Sequence, residues 1–571
     1  MQYDPPRLLP VGDSALLIEF GDEIDLAINE RVHNLASALG ELSAPGLGEA
    51  VPAYRSLLWH YDPGQLSWPE VEDLAREALE QVESHQPRQP RVVIIPTCYG
   101  GQYGPDLEAL AHQNGLTPAE VIHLHSSSVY SVFMLGFSPG FAYMGGLPRS
   151  LWTPRLATPR TKVPAGSVGM AGGQTGIYPI STPGGWQIIG RTFLRLFVAQ
   201  RDPPSLLRPA DRVQFSPIDS DKFAALQSRE WETRDPQHGA GTPTGFGVPE
   251  APAPAGLEVL RPGLSTTVQD LGRRGYERFG VTAAGAMDPF ALIVANALVR
   301  NSTAAAGLEI TGAGLALKAT ADCLIAVAGA DLGLSVNGQP IPCWLSAFVR
   351  RGWPVQFSGR RSGCRAYLAV AGGISVPLVM GSLSTYLRGG FGGLGGRALQ
   401  PGDFLPVGPT QADLATLAGR RFPVQHLPAY GDHPTLQVIL GPQDDAFTAE
   451  GLRSLLDGQF LVTTTADRMG YRLQGSEIAH RDSADIVSDG IVMGALQVPS
   501  DRQPIVMMAD RQTTGGYAKL VTVVSADLPL LAQCTPGLSA VRFRETSVGE
   551  AQLRYRRMQT CISRVTSDVN R

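Results

Sequence analysis

Short apolar runs set between glycine and proline turns dominate the chain, and sustained helical periodicity is confined to a few segments. Within residues 1–85, "SALLIEF" and "SLLWHY" read as strands, while "INERVHNLASAL" and "WPEVEDLAREALEQV" carry the spacing of amphipathic helices. That mixture predicts a small α+β domain. From Arg91, "RVVIIP" opens a strand-rich region holding one well-marked helix. Thr117 caps it, Pro118 takes its first turn and Glu120 completes a T-x-x-E capping box. A second marked helix is "MDPFALIVANALVRN", with Asp288 as N-cap and Pro289 at the first helical position. Strand-like runs "GLALKA", "CLIAVAGA" and "RAYLAVAGG" follow, and a further strand-rich block starts near Pro423.

The stretch "QSREWETRDPQHGAGTPTGFGVPEAPAPAG", residues 227–256, has no sustained hydrophobic period and predicts a linker between two halves. A weak internal repeat supports the division. "LLRPADRVQF" (206–215) and "ALQPGDFLPV" (398–407) share L-x-P-[A/G]-D before a strand, and "TPGLSAVRF" (535–543) resembles a third copy without the aspartate. "GGQTGIYPI" around Gln174 is echoed by "DRQTTGGYAKL" around Gln512. The predicted order is a small α+β domain (1–85), a β-barrel (86–222), a linker (223–256), a second barrel domain (257–418) and a third (419–571).

At 571 residues the chain exceeds the ~250–300 at which one core stops growing. Charged residues make up only 17%, and 65 glycines and 45 prolines fit many short strands joined by turns. A net charge of −5, without a lysine/arginine stripe, argues against nucleic acid as a partner. Six scattered cysteines with no C-x-x-C argue against a zinc site and a disulfide framework, and for a reducing compartment. Neither a signal peptide nor an apolar stretch of membrane-spanning length is visible, so the expectation is a soluble, cytoplasmic protein with no membrane partner.

Several standard catalytic engines are missing. There is no phosphate loop, no G-x-S-x-G and no H-E-x-x-H. "GFGGLG" (390–395) matches G-x-G-x-x-G, but a turn and a strand follow it, so no helix N-terminus is offered to a pyrophosphate. His123 and His125 stand two apart on a helix and face different ways, which argues against metal ligation. What remains is a set of glycine-bracketed polar stretches, "GFSPGFAYMGGLP" (136–148) and "ATPRTKVPAGSVGMAGGQTGIYPISTPGGWQIIGRT" (157–192). Glycines such as Gly172 and Gly173 permit close backbone approach to a ligand. Arg160 and Lys162 offer charge to a carboxylate or phosphate, and Gln174 and Tyr178 offer neutral hydrogen bonds to an amide-like group. The competing reading makes the same residues barrel corner turns with solvent-facing cations. In the second half Gln269, Asp270, Arg273 and Arg274 precede a glycine-rich approach to a helix, and Asp467 and Arg468 sit on a turn. Arg468 can hold a carboxylate or make a surface salt bridge.

These motifs carry a resemblance. Residues 1–220, with "GFSPGFAYMGGLP" and "VPAGSVGMAGGQTGIYPISTPGGWQIIGRT", resemble the B subunit of the bacterial ATP-dependent 5-oxoprolinase, the KipI-like or allophanate hydrolase subunit 1 family. Residues 256–560, with "GLSTTVQDLGRRGYERFGVTAAGAMDPFALIVANAL" and "DGIVMGALQVPSDRQPIVMMADRQTTGGY", resemble the C subunit, the KipA-like or subunit 2 family. The pair is also similar to the carboxyltransferase region of urea carboxylase. The resemblance implies a B–C fusion with cyclophilin-like β-barrels, opening 5-oxoproline to glutamate with ATP, Mg²⁺ and a separate A subunit. Phosphorylating a lactam oxygen makes a poor electrophile reactive, so the protein's task is positioning and charge stabilisation rather than nucleophilic attack. On that reading Gln174 and Gln512 bind the polar groups of a small lactam or amide, and Arg160 and Lys162 hold phosphate. Asp270 assists a metal-bound nucleotide or acts as a base, and Gly173, Tyr178, Arg273 and Arg468 complete the binding set. No residue is assigned as a protein metal ligand. Two alternatives stand beside it. A biotin-dependent carboxyltransferase for urea or another amide would need a biotinylated partner, since no A-M-K-M sequence is present. A histidine-kinase-regulating protein would have to work with inhibitor-like and antagonist-like halves tethered together. The oligomeric state, including a homo-oligomer, stays open at this point.

Overall fold

A computed structural model describes residues 1–82, 90–234, 255–410 and 413–569. The chain is mainly β, as its apolar pattern predicts. At the N-terminus four antiparallel strands form a sheet in the order Gln2–Pro10, Ala15–Gly21, Ser56–Tyr61, Leu47–Pro52. Strand Ala15–Gly21 is buried along its whole length because both of its faces are used. Leu16, Ile18 and Phe20 meet the helices Leu26–Glu41 and Trp68–Val82. Ala15 and Leu17 pack with Ile491, Val492, Ala495 and Met507 of the C-terminal barrel. The unbroken apolar run "ALLI" thus records a strand between two layers.

Two closed seven-stranded barrels follow, one on each side of the predicted linker. In the first, Arg212–Pro217 lies parallel to Val92–Tyr99. In the second, Ala540–Glu545 lies parallel to Thr435–Leu440. The first and third copies of the repeat therefore close equivalent barrels with equivalent strands. All three copies share one turn, because Ala210, Gly402 and Gly537 hold positive φ values of 67°, 84° and 78°. Asp211 and Asp403 staple that turn by accepting the N–H groups of Arg208 (2.8 Å) and Gln400 (2.7 Å). In the copy without the aspartate, Ser539 Oγ accepts the Thr535 N–H instead (2.8 Å).

The middle copy differs from the expectation of a barrel over 257–418. Its strands form a six-stranded and a five-stranded sheet that share one core. The repeat strand Phe404–Pro406 pairs antiparallel with Gly256–Pro262 at a sheet edge. In strand Cys323–Asp331, Cys323, Ile325 and Val327 face the other sheet, while Leu324, Ala326 and Ala328 face the helix Pro289–Leu298. A sheet covered on both faces stacks in layers rather than curling shut.

The predicted caps are present. Thr117 and Glu120 form a reciprocal capping box, and Asp288 caps its helix through the Ala291 N–H (3.0 Å). The predicted linker is too long at its start, since a helix spans Ser220–Arg234 and "SREWETR" holds no glycine or proline to stop it. Residues 235–254 of that linker lie outside the described residues. No disulfide joins the six cysteines, and no helix among the described residues is long and apolar enough to cross a membrane.

Candidate ligand-binding site

In the first barrel, strand Gln174–Ile177 alternates its side chains between two faces. Thr175 and Ile177 point into the barrel, where Thr175 bonds the buried His125 (2.9 Å) and Ile177 joins the core. His125 also bonds Tyr99 (2.8 Å), and burial holds its pKa down at about 3, so it is a neutral core residue. Gln174, Gly176 and Tyr178 share the outer face. Tyr143 stands opposite Gly176 in register, and Phe141 packs on Tyr143, Tyr178 and Trp186 with ring centroids 4.8, 5.2 and 5.5 Å apart. A Cβ at Gly176 would come within 2.9 Å of the Trp186 ring, and one at Gly184 within 2.4 Å of the Tyr178 hydroxyl. The glycines of this stretch let an aromatic wall close over bare backbone.

Tyr178 is buried, which raises its pKa and keeps it a neutral hydroxyl. Gln174 is half-buried, and its amide has no hydrogen-bond partner among the described residues. Gly173 does not face a ligand directly: the Trp152 indole lies against it, 2.7 Å from where a Cβ would stand. A two-stranded ribbon, Arg160–Val163 with Thr182–Gly184, covers the wall. Arg160 clips that ribbon to the barrel by donating to Asp106 (2.6 Å), whose second oxygen takes the Ile188 N–H (2.6 Å). Lys162 is exposed, with no hydrogen-bonded or ionic partner among the described residues. Sequence reading misses Arg155, a third cation only five residues before Arg160.

The other glycine stretch lies at the seam between the halves. Gly140 donates to the Phe279 carbonyl (2.8 Å). A Cβ on Gly136 would collide with Thr514 of the C-terminal barrel, and one on Gly280 with the Ser138 carbonyl. Phe197 packs on Phe391 across the same seam (5.6 Å). The hydroxyls of Ser138, Thr513 and Thr514 are buried there without partners. "GFSPG" and "QTTGG" are thus brought together face to face. Gln512, half-buried beside Thr513, makes no hydrogen bond among the described residues, and none joins it to Gln174.

Three predicted residues of the second half are engaged within the protein. Asp270 accepts the N–H groups of Gly272 (2.7 Å) and Leu383 (2.6 Å) and the hydroxyls of Ser382 (2.8 Å) and Ser384. Three of these donors meet Oδ1 and one meets Oδ2, so the carboxylate anchors the loop 382–384. Arg468 is neither a surface residue nor open to a substrate. It donates to Glu309 (2.6 Å), Asp510 (2.8 and 3.2 Å) and the Gly285 carbonyl (2.7 Å). Arg273 is fully buried, donates to the Ser384 carbonyl (2.5 Å) and lies 5.0 Å from the Phe391 ring. Its Nε and Nη1 are unpartnered, and burial pushes its pKa down to about 10. Among the described residues, no three histidine, cysteine or carboxylate side chains gather as a metal site.

Comparison with known proteins aligns with this two-part build. Residues 6–207 match the carboxyltransferase domain, subdomain C and D, and residues 279–545 match subdomain A and B. The chain is 46% identical over 231 residues to the B subunit of 5-oxoprolinase from Bacillus subtilis (strain 168), covering 38% of this chain and 95% of that protein. It is 37% identical over 295 residues to the C subunit of 5-oxoprolinase from Escherichia coli (strain K12), covering 52% of this chain and 93% of that protein. The crystal structure of TTHA0988 superposes with a TM-score of 0.78 at 34% identity, covering 93% of this chain and 99% of that one.

Proposed function

The chain belongs to the carboxyltransferase-domain family that includes the B and C subunits of 5-oxoprolinase, and we propose that it is a natural B–C fusion of that enzyme. With a separate A subunit it opens 5-oxoproline to L-glutamate at the expense of ATP. The observation that carries this reading is length: a B subunit, matched over 95% of its extent, is followed on one chain by a C subunit, matched over 93% of its own.

The outer face of the first barrel suits a small lactam. Gln174 offers an unpartnered amide that can pair with a lactam N–H and C=O at once, and Tyr178 offers a neutral hydroxyl. The aromatic wall excludes water from a ring of that size. ATP, with Mg²⁺, supplies the phosphoryl group that turns the lactam oxygen into an activated ester. Water then adds to the carbon and the ring C–N bond breaks, with glutamate, ADP and phosphate as products. Lys162 would hold the anionic charge this develops, and the Mg²⁺ of this reading travels with the nucleotide. The test is coupling in the assembled enzyme: ADP and glutamate should appear in equal amounts and only with 5-oxoproline present. Steady ADP release without glutamate would overturn it.

A second reading, transfer of a carboxyl group from a partner's carboxybiotin to urea or another amide, draws on the name of the domain family itself. Urea consumption that needs an added biotinylated protein would favour it.

A further inference from the structure

We propose that Arg155 receives the carboxylate of the substrate at the edge of the aromatic wall. The inference rests on the reading of that wall as a site for a small lactam acid. The cations of residues 149–162 differ in what they touch. Arg149 lies over the Trp152 ring (5.8 Å), and Arg160 is paired with Asp106 through one guanidinium nitrogen (2.6 Å). Arg155 is exposed and has no hydrogen-bonded or ionic partner among the described residues.

Its place is nonetheless defined, because both of its neighbours are tied down. The Pro154 carbonyl accepts from the Gln187 amide (3.4 Å), and the Leu156 N–H donates to the Gly185 carbonyl (2.7 Å). One residue further back, the Thr153 carbonyl accepts the Gly172 N–H (2.6 Å). These bonds strap Arg155 between the turn that leads into Gln174 and the turn that covers Tyr178. From there its charge acts on three tyrosines at once, Tyr54 of the small domain, Tyr143 and Tyr178. Tyr54 and Tyr143 belong to one apolar cluster, and Tyr143 also borders the wall. The Tyr54 hydroxyl is buried without a partner. A cation with no counter-charge among the described residues, strapped to the turn that leads into Gln174, suits a ligand with a carboxylate on one side and a lactam on the other. A guanidinium can grip such a carboxylate with two parallel hydrogen bonds.

The experiment is calorimetric titration of the full chain, bound to its A subunit, with three ligands: 5-oxoproline, 2-pyrrolidinone, which is the same ring without the carboxylate, and cyclopentanecarboxylate, which keeps the acid and loses the lactam. Arg155→Met should weaken both acids at least tenfold and leave 2-pyrrolidinone within twofold, with an unchanged melting temperature. Arg155→Lys should recover part of the loss. Equal losses on acid and neutral ligands, or no loss on either acid, would overturn the proposal. If cyclopentanecarboxylate binds through Arg155 and 5-oxoproline does not bind at all, the carboxylate site stands and the lactam reading falls. If neither acid binds the wild-type chain, Arg155 is not a carboxylate site.

Discussion

The two barrels are built from the same repeat, yet the charged and amide groups around Gln174 and around Arg468 differ in their partners. In the first, Gln174, Lys162 and Arg155 sit around glycine turns and aromatic rings with no partner among the described residues. In the second half, Arg468, Asp510 and Glu309 are buried and saturated with one another, and Arg365 joins the group near Glu309 at 3.8 Å. The buried pair Lys519 and Asp489 repeats the pattern inside the second barrel. The first face leaves hydrogen-bonding groups open, whereas Arg468, Asp510 and Glu309 form a frame that joins the middle domain to the second barrel. The lesson is that a residue type at a matching motif position says little until its partners are known.

Breaking the frame should have the largest effect. Arg468→Ala leaves two buried carboxylates without their cation, and loss of one partner from a buried pair costs about 3–5 kcal/mol. We expect a chain that unfolds early or fails to accumulate, read by thermal denaturation. A stable Arg468→Ala protein with impaired turnover alone would move Arg468 back into the site.

The ligand face should respond in the reverse manner. Gln174→Ala removes an amide that bonds nothing among the described residues, so the melting temperature should hold while glutamate formation drops by well over tenfold, a loss above about 1.4 kcal/mol. Normal rates in this variant would take Gln174 out of the site, and the contrast between the barrels with it.

The smallest effect sharpens the comparison at the seam. Glu49 of the small domain accepts the N–H groups of Glu277 (2.8 Å) and Arg278 (3.1 Å), and Glu277 in turn meets Arg511 (2.8 Å) and His60 (2.9 Å). Burial, aided by the neighbouring Glu277 charge, lifts the Glu49 pKa from 4.5 to about 7. A carboxyl raised in this way binds its proton more tightly when folded. Its stabilising contribution is complete below about pH 4.5 and is lost as the pH rises through about 7. Glu277 runs the other way, since Arg511 and His60 overcome the cost of burial and hold it at about 2. The melting temperature should therefore fall between pH 5 and pH 8 in the native chain, and less so in Glu49→Gln, by at most a few degrees. An identical slope in the variant would remove Glu49 as the titrating group.

Local chemistry is legible in the sequence and long-range partnership is not. The caps at Thr117 and Asp288 need only three or four residues of context, and both stand as read. The repeat is legible because its turn is local, down to the positive φ at Ala210, Gly402 and Gly537. Arg468 is misjudged because Glu309 is 159 residues away, and the anchoring bonds of Asp270 are hidden because Ser382 and Ser384 lie 112 and 114 residues on. The open middle domain is hidden for a related reason: the second apolar face of Cys323–Asp331 belongs to a helix that sequence pattern alone does not dock. Arg155 escapes notice because its value lies in having no partner, a property that only the folded chain displays.

The most direct test of the B–C fusion account is glutamate formation from 5-oxoproline and ATP, measured with this chain alone, with the A subunit on its own, and with both together. Turnover that appears only in the mixture is the predicted result. A stable complex of the two proteins that forms no glutamate under saturating 5-oxoproline and ATP would contradict it.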